Sequence, residues 1–192
     1  FYRGVCRLEQ RRFHEAERDF SEALELYPDR SVTWVNRALA RLGLERFSEA
    51  AEDLSKAIRA GRDDSLTYLL RSQAWKGMGD LKKSREDRET GLRREPVNVD
   101  GWIRRGMTRL PDDPDGALAD LEVALKLSPK SQKALQNKAH IHSEILSQPE
   151  EAIRALNRLL ELNPRHATAL AGRGVQYARL GRRDRALRDG RE

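Results

Sequence analysis

The sequence predicts an all-α solenoid of antiparallel helix pairs, and three observations predict it. In the stretch Trp34 to Ile58, Trp34, Ala38 and Leu42 recur at helical spacing, and Ala50, Leu54 and Ala57 do so after a turn around Gly43 to Arg46. The same phase returns as Ala16, Phe20, Ala23 and Pro28, then as Ser84, Arg88, Gly91 and Pro96, as Ala117, Leu121, Ala124 and Pro129, and as Ala152, Leu156, Leu159 and Pro164. Arg62 closes the copy that holds Ala50. Closing positions therefore fall at 28, 62, 96, 129 and 164, a period near 34 with two helices per repeat. Third, 38% apolar against 35% charged residues is polar for one compact core. It suits a stack in which each hairpin buries its apolar face against its neighbours.

Repeat one spans residues 1–30. Phe1 to Gln10 ends a first helix, and Phe13 to Tyr27 forms the second, closed by Pro28. Repeat two, 31–64, is the best formed, with Gly61 stopping its second helix where the closing proline is missing. Repeat three, 65–98, has a first helix from Leu66 to Met78, apolar through Leu69, Leu70, Ala74 and Trp75. Its second, Leu81 to Arg94, puts Ser84, Arg88 and Gly91 at the packing positions. It is expected to pack poorly, as tolerated decay or as a flexible joint or partner-shaped face.

Repeat four, 99–130, is one residue short. Pro111 ends its first helix, and Asp113 with Pro114 opens the second as a cap and a first-turn proline. The cluster Asp112, Asp113 and Asp115 lacks the spaced oxygens and closing glutamate of a calcium loop, so capping is the better account. Repeat five, 131–166, regains a residue near Gln148 and Pro149, and sets Lys138 and His142 where large or apolar residues pack. Repeat six, 167–192, keeps Leu170, Gly174, Tyr177 and Ala186 before an arginine-rich second helix. The chain starts and stops inside helix patterns and is expected to be a piece of a longer polypeptide.

Over its whole length the chain resembles tetratricopeptide repeats. The residues that carry the resemblance are Trp34, Tyr68 and Trp102 early in the first helices, and Gly4, Ala38, Gly106, Ala139 and Gly174 at the small crossing position. Ala16, Ala50, Ala117, Ala152 and Ala186 open the second helices. The resemblance implies a right-handed superhelical α-solenoid and a non-catalytic scaffold that binds a peptide or helix of an unidentified partner protein along a concave inner face, without a cofactor.

It also implies which residues face that side. These are Val35, Asn36 and Leu39 in repeat two, and Leu69, Leu70, Gln73 and Lys76 in repeat three. Asp100, Ile103, Arg104 and Met107 follow in repeat four, then Lys133, Gln136, Asn137 and His140 in repeat five, and Ala171 and Val175 in repeat six. Together they predict an apolar strip that turns polar towards the C-terminal side. Leu39 and Leu70 are equally suited to packing between adjacent first helices. A two-carboxylate clamp of the chaperone-binding kind is argued against, because Val35, Leu39, Leu70 and Asp100 stand where it needs lysine and asparagine. Only Arg104 matches.

A charged pair also recurs. Arginine precedes the small crossing residue at Arg3, Arg37, Arg71, Arg105 and Arg173; sixteen residues on stand Asp19, Asp53, Asp87 and Asp189, and Asp120 is fifteen on, as the deletion requires. Each arginine is expected to bridge structurally to an aspartate of its own repeat or of the preceding one, and the alternation does not separate the two. Lys138 with Asp120 would fit the second register, whereas Ala155 breaks the first.

Nothing in the pattern points to catalysis. The glycines punctuate helices and form no phosphate loop, Cys6 has no matched histidine, and His140 and His142 point apart on a helix. No apolar run reaches membrane-spanning length. The lone Cys6 fits a reducing, cytoplasmic setting. Two alternatives to peptide binding are kept: self-assembly into homo-oligomers by stacking of exposed end repeats, and electrostatic binding of nucleic acid or an acidic partner by the basic last repeat. The second is disfavoured, because no aromatic platform accompanies the arginines.

Overall fold

The protein was analysed as a computed structural model that describes residues 1–191. It is all-α. Among the described residues twelve α-helices form six antiparallel pairs, and the pairs gather in two compact units, Phe1–Val97 and Asn98–Glu192. The first unit pairs α1 (Tyr2–Glu9) with α2 (Phe13–Leu26), α3 (Ser31–Gly43) with α4 (Phe47–Arg59), and α5 (Ser65–Gly77) with α6 (Leu81–Arg93). The second pairs α7 (Val99–Arg109) with α8 (Pro114–Leu127), α9 (Gln132–His140) with α10 (Pro149–Leu162), and α11 (Ala167–Arg179) with α12 (Arg183–Asp189). Within the units second helices also pack on the next first helix, α2 on α3 and α4 on α5 in one, α8 on α9 and α10 on α11 in the other.

Local chemistry sets the helix ends. Asp64, Asp80, Asn98, Asp113 and Ser131 each accept a hydrogen bond from the backbone N–H three residues on, satisfying a donor the helix cannot. The aspartate cluster before α8 therefore contains a cap, Asp113, with Pro114 in the first turn. The turn inside each pair puts one residue in the left-handed region: Arg11, Glu45, Gly79, Ser147 and Gly181, with φ of 60°, 59°, 80°, 52° and 70°. These positions recur every 34 residues except between α7 and α8. There the missing residue of repeat four has removed the left-handed step, and the Asp113 cap makes the turn instead.

Burial follows the repeat phase. Ala38, Ala50, Leu54, Ala57, Leu70 and Ala74 join in the first unit, and Leu121, Ala124, Leu135, Ile141, Leu159 and Leu170 in the second. Two sequence expectations are corrected here. Helix α6 is not loosely packed, because polar bonds replace its missing apolar stripe. Ser65 Oγ donates to the Gly91 carbonyl at 2.7 Å, and Ser72 Oγ to the Ser84 carbonyl at 2.7 Å. A side chain at Gly91 would run into Leu69, so the glycine permits close approach rather than marking decay. The extra residue of repeat five is not absorbed at Gln148 and Pro149 either. A π-helical turn, Ile141–Ile145, takes it up at the end of α9, since widening one turn admits a residue without breaking the helix.

The arginine and aspartate columns meet within each repeat. Arg37 donates from Nε and Nη2 to the two oxygens of Asp53 at 2.9 and 2.8 Å, a fork matched to a carboxylate. Arg71 does the same to Asp87, Arg105 to Asp120 and Arg173 to Asp189, all between 2.7 and 2.9 Å. Arg3 places both donors on one oxygen of Asp19 and, mainly through that hydrogen bond, holds the carboxyl below the usual carboxylate range. The third guanidinium nitrogen reaches the preceding second helix: Arg37 to Ser21 and Arg71 to Ser55 at 3.1 Å, and Arg173 to Asn157 at 2.8 Å. Of the two registers left open by the sequence, the bridge to aspartate is the one within the repeat, while the spare donor reaches serine or asparagine on the preceding second helix.

Repeat five is the informative exception. With Ala155 in place of the aspartate, Lys138 pairs with Glu122 of α8 rather than with Asp120, because Asp120 is already forked by Arg105. Sequence reasoning also missed a second donor to three of the aspartates, Asp19, Asp53 and Asp87, one turn after the arginine: Arg7 at 2.7 Å, Arg41 at 2.8 Å and the Trp75 indole N–H at 3.0 Å. The i,i+4 spacing from Arg3, Arg37 and Arg71 was the available clue.

Candidate functional site

Within the first unit α3 packs directly on α1 and α5, and within the second α7 packs on α9. Between α9 and α11 a groove of about 410 Å³ opens instead. Leu156 and Leu159 of α10, with Ala139 and Ala169, make an apolar floor. Gln136 and His140 of α9 form one rim, and Thr168, Gly172, Val175 and Gln176 of α11 the other. An apolar floor under a polar rim is the composition of sites that hold a ligand by burial and orient it by hydrogen bonds.

Both ends of the groove are tied. At one end the imidazole of His166 links Gln136, at 2.9 Å, to the first turn of α11. Its Nδ1 accepts from the Ala169 N–H at 3.3 Å and lies 3.0 Å from Thr168 Oγ1. At the other end Arg179 donates to the Ser143 carbonyl at 2.8 Å and pairs with Glu144 at 3.4 Å. Hydrogen bonding from Ser143 and the nearby Arg179 charge hold the Glu144 carboxyl below its ordinary range. Beneath the π-helical turn, His142 is buried with its Nδ1 2.8 Å from Gln148 Oε1, and burial pushes its imidazole below the ordinary histidine value.

Of the residues the sequence places on the inner face, Gln136, His140 and Val175 line this groove. The apolar members do not make an open strip. Val35, Leu69, Leu70 and Ile103 are buried between helices, and Leu39 and Met107 lie partly buried against the cores. The physical reason is the one the sequence left open for Leu39 and Leu70: adjacent first helices in contact cover the apolar residues between them. Gln73 and Lys76 are exposed on α5 and Asn36 is half-buried on α3. Arg104 is half-buried on α7, where burial pushes its guanidinium below its ordinary value. The sequence named Leu156, Leu159 and Ala139 only as packing positions, and did not single out Ala169, Gly172 or Gln176. Gly172 occupies the column of Asn36 but offers no side chain. Gln176 occupies the column of Cys6, Ala40, Ala74, Thr108 and Ile141, where Ala40, Ala74 and Ile141 are buried and apolar and Thr108 is polar and half-buried.

Against families of known proteins, residues 3–65 and 146–192, more than half of the chain, match the tetratricopeptide repeat. The chain belongs to the tetratricopeptide repeat family. Membership gives the coarse function, a scaffold for protein–protein interaction. No curated protein matches the chain significantly. Among solved structures it is similar to YrrB, described as a TPR protein with an unusual peptide-binding site, at 22% identity and a TM-score of 0.62 over 88% of each chain. It is similar to MamA at 17% identity and a TM-score of 0.63, over 79% of this chain and 89% of that one. In the Cut9–Hcn1 complex of APC/C, the likeness has a TM-score of 0.69 at 16% identity, over 97% of this chain and 37% of that one. At these identities the likeness is one of fold. Among the described residues no group of histidine, cysteine and carboxylate side chains is placed to hold a metal ion, and no helix is long and apolar enough to cross a membrane.

Proposed function

We propose that this tetratricopeptide repeat chain is a non-catalytic scaffold that holds a segment of a partner protein in the groove between α9 and α11. The observation that carries the reading is the groove itself, rimmed by the exposed Gln136, His140 and Val175 of two facing first helices over nearly buried apolar residues of α10. The description of YrrB as a peptide-binding TPR protein supports the reading by analogy of fold.

The test uses a peptide selected on the whole chain from a random displayed library. Val175→Glu and His140→Glu place charges on exposed rim positions that take no part in either core. Each is expected to weaken the peptide at least about tenfold, because a carboxylate would face a desolvated apolar contact, with the thermal midpoint unchanged. Undiminished binding in both variants would place the peptide elsewhere and defeat the reading.

A further inference from the structure

The outward face of α12 departs from the other second helices at two positions that meet the next first helix. Five residues after Ala16, Ala50, Ala117 and Ala152 stand Ser21, Ser55, Glu122 and Asn157. Each accepts a hydrogen bond from a cation on the helix that follows: Arg37, Arg71, Lys138 and Arg173. The same place after Ala186 holds Arg191, a donor where the others accept. Three residues before Ala16 and Ala50 stand Phe13 and Phe47, whose rings fill the space beside Gly43 and Gly77 of the next first helix. There α12 has Arg183.

Between the two arginines the face is apolar and open. Leu187 lies four residues from each and is 50% exposed, whereas Ala51 and Ile153 in its column are buried. With Asp184, Arg188 and Arg191 it lines a hollow of about 380 Å³ along one side of the helix. Arg182 and Arg185 are engaged, the first with Glu150 and the second over the Tyr177 ring. Arg183, Arg188 and Arg191 are exposed and make no ion pair among the described residues. Asp184 is the one described carboxylate at the hollow, so the face is positive around its leucine.

This pattern selects among occupants. A first helix of this chain's own kind would bring its arginine against Arg191, and a second copy would bring Arg3. Like charges at a contact position disfavour both. Nucleic acid would use the arginines but gain nothing from Leu187. An apolar residue flanked by carboxylates one helical turn away on either side would satisfy all three positions at once.

We infer that α12 is a second binding surface, taking an acidic amphipathic helix of a partner protein with an apolar residue on Leu187 and carboxylates on Arg183 and Arg191. It is independent of the groove between α9 and α11.

The probe is an alanine-based peptide of about 15 residues, stapled on its far face because so short a helix is marginal alone. It carries one leucine with a glutamate four residues to either side, has blocked ends, and is titrated against the whole chain. Leu187→Ser is expected to weaken it about tenfold. The double variant Arg183→Glu, Arg191→Glu is expected to weaken it at least about tenfold and to bind instead the same peptide with lysines for glutamates. The thermal midpoint should stay unchanged in both, since the three side chains are exposed. If neither variant weakens the probe, or wild type binds it no tighter than about 1 mM, the inference falls. Tighter binding of oligothymidylate than of the peptide, unaffected by Leu187→Ser, would assign the arginines to nucleic acid and overturn it. Self-association of the wild type in sedimentation, abolished by Leu187→Ser, would put a second copy there and overturn it as well.

Discussion

Replacing Asp53 with alanine is expected to remove about 3–5 kcal/mol of stability, the largest effect of any single change to the charged columns. Asp53 is 1% exposed and receives Arg37 as a fork and Arg41 as a third donor. Truncation strands the mostly buried Arg37 guanidinium, while Arg41 keeps its pair with Glu17, whereas replacing Arg37 and Asp53 together by apolar residues would leave no charge stranded. Arg12 provides the comparison, since it is substantially exposed and its pair with Glu15 lies within one turn. Arg12→Ala is expected to leave stability nearly unchanged. Urea unfolding of the two variants beside wild type measures the contrast. Equal small losses would show that the columns are solvated and contribute little to the stacking of repeats.

Leu159→Ala is expected to cost about 2–5 kcal/mol and, unlike a core truncation elsewhere, to weaken peptide binding as well. Leu159 is fully buried in the core of the second unit, directly beneath the groove. Losing its methyl groups leaves a cavity under the groove, so the residues that line it lose their support. Leu121→Ala, fully buried in the same core but absent from the groove lining, should cost comparable stability with peptide affinity unchanged. Denaturant titration and peptide anisotropy on both variants separate the two roles.

The repeat phase made much of this architecture legible, because the pattern of Ala16, Ala50, Ala117 and Ala152 records where helices must touch. The arginine and aspartate columns were legible for the same reason, being spaced by one hairpin. The groove was not. Phase says which residues face inward, but whether an inward leucine is covered depends on how closely two first helices approach, and that distance is not written in either helix. Val35, Leu69, Leu70 and Ile103 share the inward phase with Val175, yet they are buried while Val175 is half exposed. Repeat five departs from the regular spacing through a single extra residue. The sequence showed that residue, but only the backbone shows it taken up in the π-helical turn that ends α9 and lines the groove through Ser143 and Glu144. Glycine at position 172 was silent to a reading that looks for side chains.

The central claim is that a partner segment lies between α9 and α11. The most direct measurement is photo-crosslinking of the selected peptide, carrying a benzophenone beside its apolar residue, followed by mass spectrometric mapping on the whole chain. The account predicts adducts on Gln136, His140, Thr168, Val175 and their immediate neighbours, lost when unlabelled peptide competes. Competed adducts concentrated on α6 or on the arginine-rich α12, with none between α9 and α11, would contradict it.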